Sequence, residues 1–170
     1  MRTQRRLFSI ATCGLFLVPL SAMRLVPPGP HTSPSPVACT LLTAADASTA
    51  LERPSQPGKQ LVNETGCVWS NDPALADSSR RVTLFTHSLI AFQAASHPAI
   101  TTITVEPVSG IGDQAFYQIY PHNQNPFIWV RKGDVAFSIR IITRLDPRPF
   151  TNEQEKAKDA ALAKAAVARL

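Results

Sequence analysis

The sequence predicts an α+β domain: a mainly antiparallel, twisted sheet packed with helices and closed by a long C-terminal helix. Three observations lead there. Residues 127–142, FIWVRKGDVAFSIRII, read as a β-hairpin, because both arms are rich in β-branched and aromatic side chains and Gly133 lies between them. Residues 80–87, RRVTLFTH, alternate with the period of a half-buried strand. Residues 151–170 open with Thr151 and Gln154 in capping-box spacing, place Glu153 and Glu155 in the first turn, and continue as an alanine-rich helix. The order of helix, strands, helix, strands, helix fits an antiparallel sheet with helices against it. No clear repeat suggests a solenoid.

The chain of 170 residues is long enough for one domain after a targeting segment is removed. Arginines 2, 5 and 6 precede an apolar run over 7–20, and Ser21-Ala22 supplies small residues. This is the pattern of a signal peptide over 1–22, with cleavage expected after Ala22. The apolar run is short for a membrane span. An uncleaved N-terminal anchor is the alternative on the same pattern. Cys13 follows Ile10-Ala11-Thr12, a poor lipobox, so a soluble secreted or periplasmic protein is expected rather than a lipid-anchored one. The formal charge of +5 loses three arginines and no acid with that segment, leaving +2. No basic run survives, which argues against nucleic acid as a partner.

Residues 23–38 are rich in proline and read as an extended linker before a single domain over 39–170. Of the three cysteines, Cys39 and Cys67 remain in the exported chain, where an even count suggests a disulfide. It would close a loop worth roughly 3–4 kcal/mol in the chain-entropy account. The alternative is two buried free thiols.

Within the domain, Thr43 and Asp46 cap a short helix over 39–51, ended by Arg53-Pro54. A strand over 67–70 puts Trp69 on the same face as Cys67, so Trp69 is expected beside the disulfide. In the strand over 80–87, Val82, Leu84 and Thr86 share one face, and Thr83, Phe85 and His87 the other. Residues 88–96 hold Leu89, Phe92 and Ala95 at helical spacing and stop before Pro98. A strand over 101–105 is expected to be interrupted by Glu106-Pro107. Gly110 and Gly112 predict a tight loop before a strand over 115–120, and 121–126 read as a loop. On the C-terminal helix, Glu153/Lys156 and Glu155/Lys158 are expected as local ion pairs, each worth a few tenths of a kcal/mol. Its buried side, mostly alanine, would allow close approach to the sheet.

The hairpin turn decides the placement of Trp129. A two-residue turn at Lys132-Gly133 would put Lys132 at positive φ, which its Cβ disfavours. A three-residue turn, Arg131-Lys132-Gly133, leaves only Gly133 in the left-handed region, and it is preferred. It pairs Trp129 with Val135 and Phe127 with Phe137 on the core face. The two-residue alternative moves Trp129 to the opposite face, with Ala136 and Ser138, as an aromatic platform for a ligand or partner.

Catalytic patterns are sparse. There is no G-x-S-x-G, and Ser70, Ser88 and Ser138 lack a local partner pattern. His87, His97 and His122 are isolated, so no metal site and no cofactor is expected. Gly110-Ile111-Gly112-Asp113 could present amides to an anion but matches no phosphate-binding loop. A turn with Asp113 bonding local backbone amides is the preferred account of it.

Gly66-Cys67-x-Trp69-Ser70, Gly110-Ile111-Gly112-Asp113 followed by Ala115-Phe116-Tyr117, and the run 130–137, in that order, resemble a bacterial group of exported proteins. That group is related to actinobacterial lipoproteins of a domain-of-unknown-function family and is similar to the PsbP-like fold. The resemblance spans about residues 39–170 and implies a PsbP-like sandwich in an exported compartment. It carries no catalytic residues to transfer, and PsbP-like domains mostly act by binding partners. The expected function is thus a non-enzymatic envelope domain that binds a protein partner or small ligand, with Trp129 and Asp113 as candidate contact residues. The alternative is an envelope hydrolase or metal-dependent enzyme with a site assembled from His87, His122 and Asp113.

Overall fold

In the computed structural model, described over residues 37–61, 65–72, 80–121, 123–143 and 148–170 (backbone only at 123–125), one antiparallel sheet organises the chain. All of these residues fall in one unit, 32–170. The expected signal peptide and almost all of the linker lie outside the described residues.

The strands are β1 (Lys59–Gln60), β2 (Gly66–Ser70), β3 (Arg80–His87), β4 (Thr104–Val108), β5 (Gln114–Tyr120), β6 (Asn123–Lys132) and β7 (Val135–Thr143). They form a seven-stranded sheet in the order β1-β2-β3-β7-β6-β5-β4, each neighbour antiparallel. The helices are α1 (Ala44–Leu51), α2 (Leu89–Ser96) and α3 (Asn152–Val167), with a 3-10 turn at Ala38–Thr40 before α1. The α+β class with a mainly antiparallel sheet and a long C-terminal helix is therefore what the chain adopts. Both α1 and α3 carry the expected capping boxes, at Thr43/Asp46 and Thr151/Gln154.

The two faces of the sheet are packed differently. On the first, Val82, Leu84, Ile128, Val130, Phe137, Ile139 and Ile141 are all fully enclosed beneath α1 and α3. Helix α3 lays Leu162, Ala163 and Ala166 onto them. Burying Leu162 alone contributes about 2 kcal/mol. The Cys39–Cys67 disulfide ties the 3-10 turn to β2, with Cα atoms 5.1 Å apart. Trp69 packs beside it as expected: a Cβ on Gly58 would meet Trp69 Cε2 at 2.6 Å and Cys67 Sγ at 2.7 Å. On the second face, α2 covers a smaller aromatic layer of Phe92, Phe116 and Trp129 over Ala136. Ser88 caps α2 by accepting the Ala91 N–H. Gln118 donates to the Ala95 carbonyl, binding the end of α2 to β5.

Several expectations are corrected. The hairpin turn is Gly133-Asp134, with Lys132 opposite Val135 and Trp129 opposite Ser138. Gly133 does take the left-handed conformation, at φ 56°, but Trp129 leaves the main core for the second face, and Ile128 and Val130 take its place. The cause is contact from outside the hairpin. Asp113 accepts from the Gly133 N–H at 2.7 Å and from Lys132 Nζ at 3.0 Å, while its own N–H donates to the Arg131 carbonyl at 2.8 Å. Pro107 does not interrupt its strand; it sits inside β4, an edge strand, where the missing N–H costs no ladder bond. The loop expected over 121–126 is mostly strand, because β6 begins at Asn123, opposite Tyr120.

The expected local ion pair of Glu155 and Lys158 on α3 does not form, nor does Lys156 turn to Glu153. Glu155 is buried and pairs with Arg148, Lys156 with Glu106, and Lys158 with Glu52. The helix spends these charges on other elements.

Candidate functional site

Three places gather chemistry among the described residues. The first is the second-face aromatic layer, which holds Trp129 and His87. Strand β7 presents only Ala136 and Ser138 here, so side chains from β3 and β6 meet above it. The His87 ring stacks on Trp129 with centroids 4.3 Å apart, and Phe116 lies parallel to the indole at 6.2 Å. Phe92 adds an edge contact at 6.5 Å. With His87 and Phe116 stacked on it and Phe92 centred 6.5 Å away, the indole is a half-buried member of this layer. Burial holds the His87 imidazole below its ordinary range.

His87 Nε2 lies 2.9 Å from Ser138 Oγ. The pair lacks the surroundings of a nucleophile and base. Ser138 is buried in mid-strand, where neighbouring N–H groups belong to the sheet ladder rather than to an oxyanion site.

The second place is Asp113. Its carboxylate is held below the usual range by the Gly133 N–H and then by Lys132. It bonds backbone, as expected, but across to the hairpin turn instead of within its own loop. His87 and Asp113 do not converge. His87 stands opposite Ala136, Ala136 opposite Arg131, and Arg131 opposite Gln114, which follows Asp113. Three strand spacings separate the two, roughly 14 Å. His122, the third residue of the enzyme alternative, lies outside the described residues, and no cluster of three metal-ligating side chains occurs among them.

The third place is a groove between α1 and α3, a cleft of about 330 Å³. Its lining is Ala50, Ala157, Ala161, Leu162 and Ala165, with Asp46, Thr49 and Lys158 at the rim. Both rim charges are already engaged. Asp46 takes Arg169 Nη2 at 2.8 Å and the Thr43 N–H at 2.7 Å, and Lys158 Nζ reaches Glu52 at 2.7 Å. Glu52, at φ 55°, closes α1 in the left-handed conformation and is thereby aimed at α3. The groove therefore offers apolar surface with no unpaired charge at its rim. The alanines expected against the sheet are there in part, as Ala163 and Ala166, but others on α3 line the groove. Ala157, Ala161 and Ala165 instead recur every four residues on a stripe beside the buried one, and that spacing was the available signal.

Among the described residues no helix is long and apolar enough to cross a membrane. Compared with protein-family models, curated proteins and solved structures, the chain has no significant match.

Proposed function

We propose that the protein is an exported, non-enzymatic binding domain of PsbP-like architecture, acting at the cell envelope, and that the α1–α3 groove takes a small uncharged, largely apolar ligand or partner side chain. The groove carries this reading. Its volume lies at the small end of the range for ligand pockets, its lining is apolar, and its rim charges are paired within the chain. A charged ligand would have to break an existing ion pair to bind there. The disulfide accords with an oxidising compartment. The antiparallel sheet and long C-terminal helix accord with a PsbP-like sandwich.

The test is a titration of the protein with 1-octanol, followed by the methyl resonances of Ala157, Ala161, Leu162 and Ala165. Saturable shifts confined to these residues are expected, and Ala161→Trp should abolish them without unfolding the protein. Shifts scattered over the surface, or shifts that survive Ala161→Trp, would sink the groove as the site.

A further inference from the structure

We propose that Asp159 makes the seating of α3, and with it the α1–α3 groove, depend on proton uptake. The inference rests on the groove reading above and adds its regulation.

Asp159 lies on α3 and is fully enclosed. Its Oδ1 accepts the Ile141 N–H of β7 at 3.0 Å. The paired register of β6 with β7 ends at Ile128–Ile139, so this carboxylate caps β7 where β6 has left it. The other oxygen, Oδ2, is buried without a hydrogen-bond partner. An ionised carboxylate in that place is costly, whereas a neutral acid keeps the bond to Ile141 and removes the charge.

The surroundings do not supply a dedicated counter-charge. Glu155, one turn earlier on α3, is also fully enclosed, but it takes Thr143 Oγ1 at 2.9 Å and Arg148 Nη2 at 2.6 Å. Arg148 is thereby committed to Glu155. From β7, Arg140 acts on Asp159 by charge, and its guanidinium lies 4.0 Å from the Phe127 ring centre. From β5 comes Tyr117, whose hydroxyl donates to the Lys156 carbonyl. From β4 comes Glu106, bonded to Lys156. From β6, Ile128 and Val130 bring no charge to the core. From α1, Asp46 and Glu52 are held by Arg169 and Lys158.

Burial accordingly pushes the Asp159 carboxyl well above the usual range. The Ile141 N–H opposes this, Glu155 adds to it, and Arg140 opposes it. The sign follows. A carboxyl raised in the folded state binds more protons there than in the unfolded chain, so stability falls as pH rises from the ordinary carboxylate range through the folded pKa. Through Asp159, helix α3 is seated more firmly at mildly acidic than at alkaline pH, while the lowered carboxyls of Asp46 and Glu52, paired with Arg169 and Lys158, act in the opposite sense as pH falls further. The groove wall is the stripe of the same helix next to Asp159, beginning with Ala157 and Lys158. Loosening the helix around Asp159 removes that wall.

Hydrogen exchange of α3 amides and 1-octanol affinity, measured from mildly acidic to mildly alkaline pH on wild type and Asp159→Asn, test the proposal. The Asp159 carboxyl carbon is titrated by NMR in wild type, which needs no variant to fold. In wild type, α3 protection and octanol affinity should both fall by about tenfold or more with rising pH, at the midpoint of the Asp159 titration. Asp159→Asn should hold both within about twofold. An Asp159 carbon that titrates in the ordinary carboxylate range, or α3 protection that does not change with pH, would overturn the proposal. Octanol failing to bind at any pH, while α3 protection still follows Asp159, refutes the groove and leaves the proton-dependent seating of α3 standing.

Discussion

Substituting glycine at three positive-φ positions separates backbone strain from docking. Gly110, Gly112 and Gly133 have φ of 76°, 60° and 56°. Alanine in that region costs about 1–2 kcal/mol, and this charge is common to all three. A Cβ on Gly110 or Gly133 would meet nothing within 4 Å. On Gly112 it would stand 2.5 Å from the Arg131 carbonyl oxygen and 2.9 Å from Val130 Cγ1, where ordinary contact begins at 3.4 Å. Backbone has to move by most of an ångström. That movement strains the 2.8 Å bond from the Asp113 N–H to the Arg131 carbonyl, worth about 1 kcal/mol net. It also strains the Asp113 bonds to the turn. Gly112→Ala should therefore cost about 3–5 kcal/mol, against about 1–2 kcal/mol for Gly110→Ala and Gly133→Ala. Urea denaturation at unchanged slope measures the difference. Gly112→Ala falling within about 0.5 kcal/mol of Gly110→Ala would refute the idea that this loop fixes the hairpin register.

The other expectations are read by similar means. Trp129→Ala should destabilise by about 2–4 kcal/mol, less than a fully enclosed tryptophan, and should let His87 titrate closer to its ordinary range as its burial is lost; an unchanged His87 titration by NMR would show that the stack does not shield it. Arg148→Ala strands Glu155, fully enclosed in the core, and should cost about 2–4 kcal/mol in urea denaturation; a loss within about 0.5 kcal/mol, the range of ordinary surface substitutions, contradicts that account. Cys39→Ser should cost about 3 kcal/mol, and mass spectrometry of the unreduced wild-type protein should find no alkylatable thiol at Cys39 or Cys67.

Features set by near neighbours were legible in the sequence. The caps of α1 and α3, the alternation of β3 and the shared face of Cys67 and Trp69 depend on spacing along the chain; the disulfide, between cysteines 28 residues apart, is legible from the even cysteine count instead. Hairpin register was not legible from the hairpin. The second arm alternates, but the first carries large apolar side chains on both faces, Phe127 and Trp129 on one and Ile128 and Val130 on the other, so hydrophobic pattern does not choose which of them faces the core. The choice is made by Asp113, which lies nineteen residues before Lys132 and twenty before Gly133. It is reinforced by shape. The close approach of the alanine-faced α3 suits branched Ile128 and Val130, while α2 brings Phe92 to meet Trp129.

The polar residues of α3 show how a sequence signal can be present and still be assigned to the wrong partner. The enclosed residues are Glu155, Asp159, Leu162, Ala163 and Ala166, the spacing of a single helical stripe facing the sheet. Its first two positions are acids. Read as a surface, these charges invite pairing with lysines three residues away. Read as a stripe, they predict buried carboxylates that need partners from elsewhere. Glu155 finds two, in Thr143 and Arg148. Asp159 finds one backbone N–H and nothing for its second oxygen. An apolar residue there would pack against the sheet without an electrostatic penalty, so a carboxyl at this position gives up stability at neutral pH. What a carboxyl adds is a response to pH, placed on the turn of α3 that also walls the groove.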